Sequence, residues 1–119
     1  MIKLKDILNE VNRLDVEDIK PGVAFWDAGN KSSQKVEVVV ENSMSTLWWT
    51  VLFDLKSMKV MEVGRLRQVA ISGQVEAKLT PAMKNKIKKI AKNPEQAKFI
   101  NQDDPNMVKK LMRVVKWLN

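Results

Sequence analysis

The 119-residue chain contains no cysteine, no histidine and no tyrosine. Without cysteine and histidine it cannot form disulfides, Cys/His zinc sites, haem or iron–sulfur ligation by those residues, thiol nucleophiles or a Ser-His-Asp triad. Because no cysteine reports on the redox compartment, we take the cytoplasm as the expected location. No apolar run approaches the roughly 18 residues that a membrane span needs. We therefore expect no metal, no cofactor and no membrane association.

Glycine and proline are also scarce, with four residues of each. They fall at the boundaries of predicted elements, and there is no internal repeat, low-complexity tract or long linker. The length suits one domain built around one core. We therefore expect residues 1–119 to form a single domain.

Positive charge is concentrated in the second half of the chain. Lysine and arginine number 21 against 14 aspartate and glutamate, which gives a net charge of +7. Residues 1–20 and 21–64 each carry a net charge of −1, whereas residues 65–119 carry +9. Such an asymmetry is typical of a protein with an anionic partner or with a solvated basic surface, and it says nothing about the fold.

The hydrophobic pattern changes from helical to extended and back to helical. Apolar residues at helical spacing from Ile2 to Leu14 predict an amphipathic helix within residues 1–20. Residues 21–72 predict an antiparallel sheet or small barrel of four or five strands. The predicted strands are Val23–Trp26, Lys35–Glu41, Leu47–Leu55, Met58–Val63 and Leu66–Ile71.

A helical segment follows over residues 80–119. Thr80 and Asp104 each precede a proline, and this is the signature of a capped helix start. A short helix is predicted between them, from Glu95 to about Asn101. The predicted fold class is α+β, in which the first and last helices cover the inner sheet face formed by Val36, Val38, Val40, Trp49, Val51 and Phe53.

The two long C-terminal helices each have an apolar face and a basic face. The candidate nucleic-acid-binding residues are those of the basic faces: Lys84, Lys88, Lys89, Lys92, Lys109, Lys110, Arg113, Lys116 and Trp117. The cations would contact phosphates, and Trp117, which projects from the basic side, would stack on a base. A solvated lysine face, with Trp117 packed on the sheet or on Trp48, is the alternative that the pattern leaves open.

These features predict a non-enzymatic nucleic-acid-binding protein. Lysine binds phosphate as a point charge, so we expect contacts to the backbone without strong base readout. As the polymer we expect DNA more than RNA. The alternative is a protein–protein interaction module, such as a virion component or host-directed factor, whose basic helices bind an acidic partner. No catalytic residue can be singled out, and Asn30-Lys31-Ser32-Ser33 lacks the spacing of a phosphate-binding loop.

Two stretches of the chain resemble known families. Ile19-Lys-Pro-Gly-Val-Ala-Phe-Trp26 and the strands that follow resemble the strand order of a small SH3-like or Tudor-like barrel over about residues 19–71. Such barrels often bind nucleic acid or peptides. The aromatic cage of methyl-lysine-reading Tudor domains cannot be placed here, because the chain has no tyrosine and the adjacent Trp48 and Trp49 point to opposite faces.

The opening residues carry the second resemblance. Met1-Ile-Lys-Leu-Lys-Asp-Ile-Leu-Asn-Glu10 is similar to the start of many small proteins of tailed phages of aquatic bacteria. This resemblance implies a viral protein that acts in the host cytoplasm or is incorporated into the virion.

Overall fold

The computed structural model describes residues 12–93 and 105–118. They form four strands and three α-helices, which confirms the predicted α+β class. The strands are β1 (Ala24–Trp26), β2 (Lys35–Met44), β3 (Leu47–Asp54) and β4 (Lys59–Arg67), and the helices are α1 (Gln68–Ile71), α2 (Pro81–Lys92) and α3 (Pro105–Trp117).

The strands form one open antiparallel sheet in the order β1-β2-β3-β4. A short extended stretch after α1 lies along β1, where Phe25 is bridged to Glu76. The Trp26 N–H donates to the Val75 carbonyl, and the Ala77 N–H donates to the Ala24 carbonyl, both at 2.9 Å. Within the described residues the sheet does not close on itself, so a closed barrel is not observed.

A β-bulge in β2 decides which of its side chains face the helices. Val39 pairs with Thr50, and the next residue of β3, Trp49, pairs with Glu41, so Val40 is an extra residue in β2. Side chains alternate along a regular strand, and an extra residue reverses the alternation beyond it. As a result Glu41 lies on the same face as the apolar side chains that pack against the helices.

The main core lies between this face of the sheet and helices α2 and α3. The predicted valines of β2 and Val51 and Phe53 of β3 are buried there. The helices contribute Ile87, Ile90, Ala91, Leu111, Val114 and Leu118. Helix α2 begins at the predicted cap, where the Thr80 hydroxyl oxygen accepts a hydrogen bond from the Met83 N–H at 3.2 Å. The predicted start of α2 and the burial of the predicted valines, Val51 and Phe53 are confirmed. Trp49 is only half-buried, and α2 rather than the first predicted helix covers this face together with α3, because Leu14 lies on the opposite face.

A smaller apolar cluster covers the opposite face of the sheet. Its buried members are Leu14, Ile19, Phe25, Val39 and Ile71, and Trp48 packs against them. The sheet therefore has apolar side chains on both faces, as the mixed pattern of β3 suggests.

The prediction of a last strand over Leu66–Ile71 is wrong. Strand β4 continues to Arg67, and the chain then forms the single turn of α1. The Gln68 N–H donates to the Thr46 carbonyl at 2.6 Å, and Ile71 is buried among the apolar side chains of the outer cluster. A helical turn brings Ile71 to that cluster, whereas a continued strand would carry it away.

The predicted N-terminal helix falls partly on residues 1–11, which lie outside the described residues. For residues 12–20 the prediction is wrong, because Arg13 is bridged to Val75 and only a 3-10 turn, Val16–Asp18, follows. The Leu14 N–H donates to the Gln74 carbonyl at 2.9 Å, so this backbone pairs with another extended segment. The predicted helix from Glu95 to Asn101 and the Asp104 cap also lie outside the described residues.

None of the helices within residues 12–93 and 105–118 combines the length and apolar character needed to cross a membrane.

Candidate nucleic-acid interface

Two of the predicted phosphate ligands on α3 bind a carboxylate of the sheet. The Lys110 Nζ lies 2.6 Å from Glu41 Oε2, and the Arg113 Nε lies 2.7 Å from Glu41 Oε1. Only 15% of the Lys110 side chain and 25% of the Glu41 side chain are exposed. The Lys110 contact is also a charge-assisted hydrogen bond, which is among the stronger polar interactions in proteins. The Arg113 contact is an ion pair without hydrogen-bond geometry. Lys110 and Arg113 therefore help to attach α3 to the sheet.

Trp49 completes this group. Both the Lys110 Nζ and the guanidinium carbon of Arg65 lie 5.2 Å from the centroid of the Trp49 ring, within the range of cation–π attraction. Trp49 pairs with Glu41 on one side and with Arg65 on the other, so the three residues form a row across β2, β3 and β4. We call the five residues Glu41, Trp49, Arg65, Lys110 and Arg113 the Glu41 cluster.

The sequence pattern does not reveal the Glu41 cluster. Simple alternation places Glu41 on the face opposite Val40, away from the helices, and only the bulge brings it under α3. The sequence around Arg65 does not indicate that it contacts Trp49, because Trp49 lies on a different strand. The sequence therefore predicted Lys110 and Arg113 as separate phosphate ligands and did not predict their contact with Glu41.

The end of α3 lies at a second group of basic residues, around a cleft of about 420 Å³. The wall residues that bear charge are Lys20, Glu76, Lys78 and Lys84, and Trp117 forms another wall. These charged residues come from the stretch before β1, the stretch beside β1 and helix α2. We call this the Trp117 cleft. Of its lysines, only Lys84 is among the candidate nucleic-acid-binding residues predicted from the sequence.

Gly22 lies next to the backbone and Cβ of Trp117. The backbone of Gly22 has a φ of +97°, and a Cβ placed on it would lie 3.5 Å from the Trp117 carbonyl oxygen and 3.6 Å from the Trp117 Cβ. The Gly22 N–H donates to the Val39 carbonyl at 2.8 Å, which joins this turn to the sheet. The start of the indole side chain is therefore held close to the domain.

The Trp117 side chain itself faces solvent. Trp117 is 40% exposed, and the Lys116 Nζ lies 5.2 Å from the centroid of its ring. Trp48 belongs to the apolar cluster on the other face of the sheet, whereas Leu118, beside Trp117, belongs to the main core. Packing of Trp117 onto Trp48 is therefore not the arrangement observed.

The remaining predicted residues lie on the outer surfaces of the two helices. Lys89, Lys92, Lys109 and Lys116 are exposed, and Lys84 and Lys88 are half-buried. Of these, Lys89, Lys92 and Lys109 form no ion pair within the part of the chain that the structure describes. Met112, 45% exposed, lies in a shallow depression of α3 together with Lys109 and Lys116.

A titratable group with a displaced pKa lies elsewhere, on the outer face of the sheet. Burial raises the pKa of Glu37, and the nearby charges of Glu62 and Asp27 raise it further. The Thr50 hydroxyl donates a hydrogen bond to Glu37 Oε2 at 2.5 Å, and this contact acts in the opposite direction by favouring the carboxylate. Glu37 lines neither the Trp117 cleft nor the depression on α3.

No protein family, no curated protein and no solved structure matches the chain.

Proposed function

We propose that the protein is a non-enzymatic nucleic-acid-binding protein that contacts phosphates through lysines of α2 and α3. The observation that carries this proposal is the Trp117 cleft, where the partly exposed Trp117 of α3 lies beside Lys84 of α2. Lys20 and Lys78, from the stretches around β1, add positive charge to the same cleft. A stacking surface next to backbone-binding cations is the usual combination in proteins that bind nucleic acid without reading its sequence.

The charge distribution supports the same proposal. The exposed lysines Lys89, Lys92 and Lys109 have no carboxylate partner within residues 12–93 and 105–118, so their charges are available to a phosphate backbone. Lys110 and Arg113 share one carboxylate, so they act mainly through the residual positive field. If about six phosphates are contacted, affinity falls by the order of 10³ between about 50 and 200 mM salt.

The proposed fold relationship is consistent with this function. Residues 75–77 lie along β1, so the extended segments follow one another in the order 75–77, β1, β2, β3 and β4. This order, with the short helix α1 before the fifth segment, supports our proposal of an SH3-like arrangement. A phage origin and a cytoplasmic or virion location stay predictions.

Charge reversal on the helices tests the proposal. We expect Lys89→Glu, Lys92→Glu and Lys109→Glu, made together, to weaken binding to labelled DNA at least tenfold with little change in the unfolding midpoint. Fluorescence anisotropy at about 50 and 200 mM salt measures the affinity and its salt dependence.

The matched control reverses Lys31, Lys56 and Lys59, which are exposed lysines outside α2 and α3. Both triple variants change the net charge equally. If the control loses as much affinity as the helix variant, binding follows the net charge alone and the proposed surface is wrong.

The depression on α3 favours one second candidate, an acidic protein partner. Exposed Met112 between Lys109 and Lys116 combines an apolar contact with positive charge, which suits an acidic amphipathic segment. Absence of DNA binding at about 50 mM salt would favour this candidate over the first.

A further inference from the structure

We infer that the Trp117 cleft receives an unpaired base of a single-stranded nucleic acid, with the base stacked on Trp117 and the flanking phosphates bound by Lys20, Lys78 and Lys84. The inference rests on the proposed function and adds the strandedness of the ligand and the place where a base is held.

Trp117 is partly exposed and lies against the turn at Gly22. Trp117 is 40% exposed, and stacking of a base on the exposed part of its ring removes apolar surface from water, which is favourable. The turn at Gly22 approaches the backbone and Cβ of Trp117 and leaves its ring facing outward. The indole is thus presented at a defined position, where stacking on it does not require the main chain to rearrange.

The charged side chains that line the cleft with Trp117 are mostly basic. Lys20, Lys78 and Lys84 form no ion pair within the described ranges, and Glu76 is the carboxylate that lines the cleft with them. Three cations against one carboxylate leave the cleft positive, which suits an anionic ligand. The Glu76 carboxylate can accept a hydrogen bond from the exocyclic amino group of a base, as acidic side chains do with cytosine.

The size of the cleft is compatible with one nucleotide. Its volume of about 420 Å³ lies within the roughly 300–1,000 Å³ typical of small-molecule sites. It suits a single base with its sugar and phosphate. The bases of a duplex are already stacked and paired, and extruding one costs a few kcal/mol. A cleft built on a stacking surface therefore favours a strand whose bases are already unpaired.

Binding of one oligonucleotide as a single strand and as its duplex tests the inference. We expect the wild-type chain to bind the single strand more tightly, and Trp117→Ala to weaken single-strand binding about 5- to 100-fold while duplex binding changes less than about twofold. Trp117→Phe keeps an aromatic face and should restore most of the affinity. The quenching of tryptophan fluorescence by the strand should disappear in both variants.

Two further variants distinguish a loss of binding from a loss of folding. Val69→Ala removes another exposed apolar side chain, on α1 and outside the cleft, and should leave binding unchanged. The double variant Lys20→Ala and Lys78→Ala alters only exposed cleft residues, and it should weaken single-strand binding about tenfold without lowering the unfolding midpoint.

The outcomes separate this inference from the proposed function. Equal binding of strand and duplex, unaffected by Trp117→Ala, would overturn the inference and leave the proposed function standing. Failure to bind either form at about 50 mM salt would overturn both. Tighter binding of the same strand as RNA, with the same loss in Trp117→Ala, would support the cleft and correct the expected polymer from DNA to RNA.

Discussion

Helix α3 holds a lysine beside a tryptophan at two places, and the surroundings make the two places different. In each pair, Lys110 with Trp49 and Lys116 with Trp117, the ammonium lies 5.2 Å from the ring centroid. Lys110 is largely buried and binds Glu41, whereas Lys116 and Trp117 are exposed. The same two residue types thus serve to attach the helix at one place and face solvent at the other.

The physical reason is the cost of burying charge. An ammonium removed from water is strongly destabilising unless an opposite charge and hydrogen bonds compensate for it. Glu41 provides that compensation for Lys110, so this lysine can lie under the helix. Lys116 stays in solvent and keeps its hydration. Positive charge on one helix is therefore of two kinds, one engaged in the fold and one accessible to a ligand.

The largest expected effect comes from the neighbouring residues Lys109 and Lys110. Lys110→Glu places a second carboxylate against Glu41 in a mostly buried setting, and we expect it to lower the free energy of unfolding by about 3 kcal/mol. Lys109→Glu changes an exposed residue and should cost less than about 0.5 kcal/mol while weakening DNA binding. Urea unfolding and anisotropy measure the two effects.

This pair of variants is a direct test of the contrast, because both change the charge equally at adjacent positions. If Lys110→Glu unfolds at the wild-type midpoint, the Glu41 cluster does not attach α3. The sequence pattern places both lysines on the same basic face of α3. Equal effects of the two substitutions on the free energy of unfolding would therefore favour a basic face that is solvated at both positions.

An intermediate effect is expected at the turn behind Trp117. Gly22→Ala forces an L side chain to a φ of +97°, and we expect a loss of about 1–2 kcal/mol together with weaker single-strand binding. Gly73→Ala is the matched control, since Gly73 has a φ of +88° and no heavy atom within 4 Å of the added Cβ. It should cost similar stability and leave binding intact. Equal binding losses in both variants would show that Gly22 does not position Trp117.

The smallest effect concerns Glu37, on the face of the sheet away from the helices. Because the pKa of Glu37 is raised in the folded state, the folded chain binds the proton more tightly than the unfolded chain does. Stability from this group is therefore greatest below the ordinary glutamate pKa and falls as pH rises through the raised folded value. Glu37→Gln keeps an acceptor for Thr50 and removes this dependence.

We expect Glu37→Gln to be at least as stable as wild type at about pH 7 and to lose that advantage at about pH 4, near the ordinary glutamate pKa. Thermal unfolding of both chains at the two pH values measures the difference. DNA binding should not change, because Glu37 lines neither basic region. A variant less stable than wild type at neutral pH would contradict the assigned direction.

Much of the architecture could be predicted from local pattern. Alternation in β2 and β3, the Thr80-Pro81 start of α2 and the apolar stripes of α2 and α3 each depend on neighbours along the chain. The local sequence pattern gave a wrong prediction where an extended and a helical conformation fitted the residues equally well. The run from Leu66 to Ile71 mixes apolar residues with Arg67 and Gln68 without clear alternation, and it ends in a helical turn that buries Ile71 in the cluster with Leu14.

The candidate site was predictable only in part. The basic faces of α2 and α3 follow from the periodicity, and the position of Trp117 on the basic side of α3 agrees with its exposure. Lys20 and Lys78 carry no local signal, because their relation to Trp117 depends on how the stretches around β1 meet the end of α3. The periodicity of a single sequence describes one helix or strand at a time, so it does not predict contacts between elements that are distant along the chain.

By itself, the sequence determined the composition of each surface: which strands alternate, which helices are amphipathic, and that the positive charge lies in the second half of the chain. These properties depend on residue type and spacing within one element. Only the tertiary structure decided how the charges are used. The bulge at Val40 turned Glu41 toward α3, and this engaged Lys110 and Arg113. The end of α3 meets the turn at Gly22, and Trp117 there lines one cleft with Lys20 and Lys78. Groups that are separated along the chain interact only when folding brings them within a few ångströms.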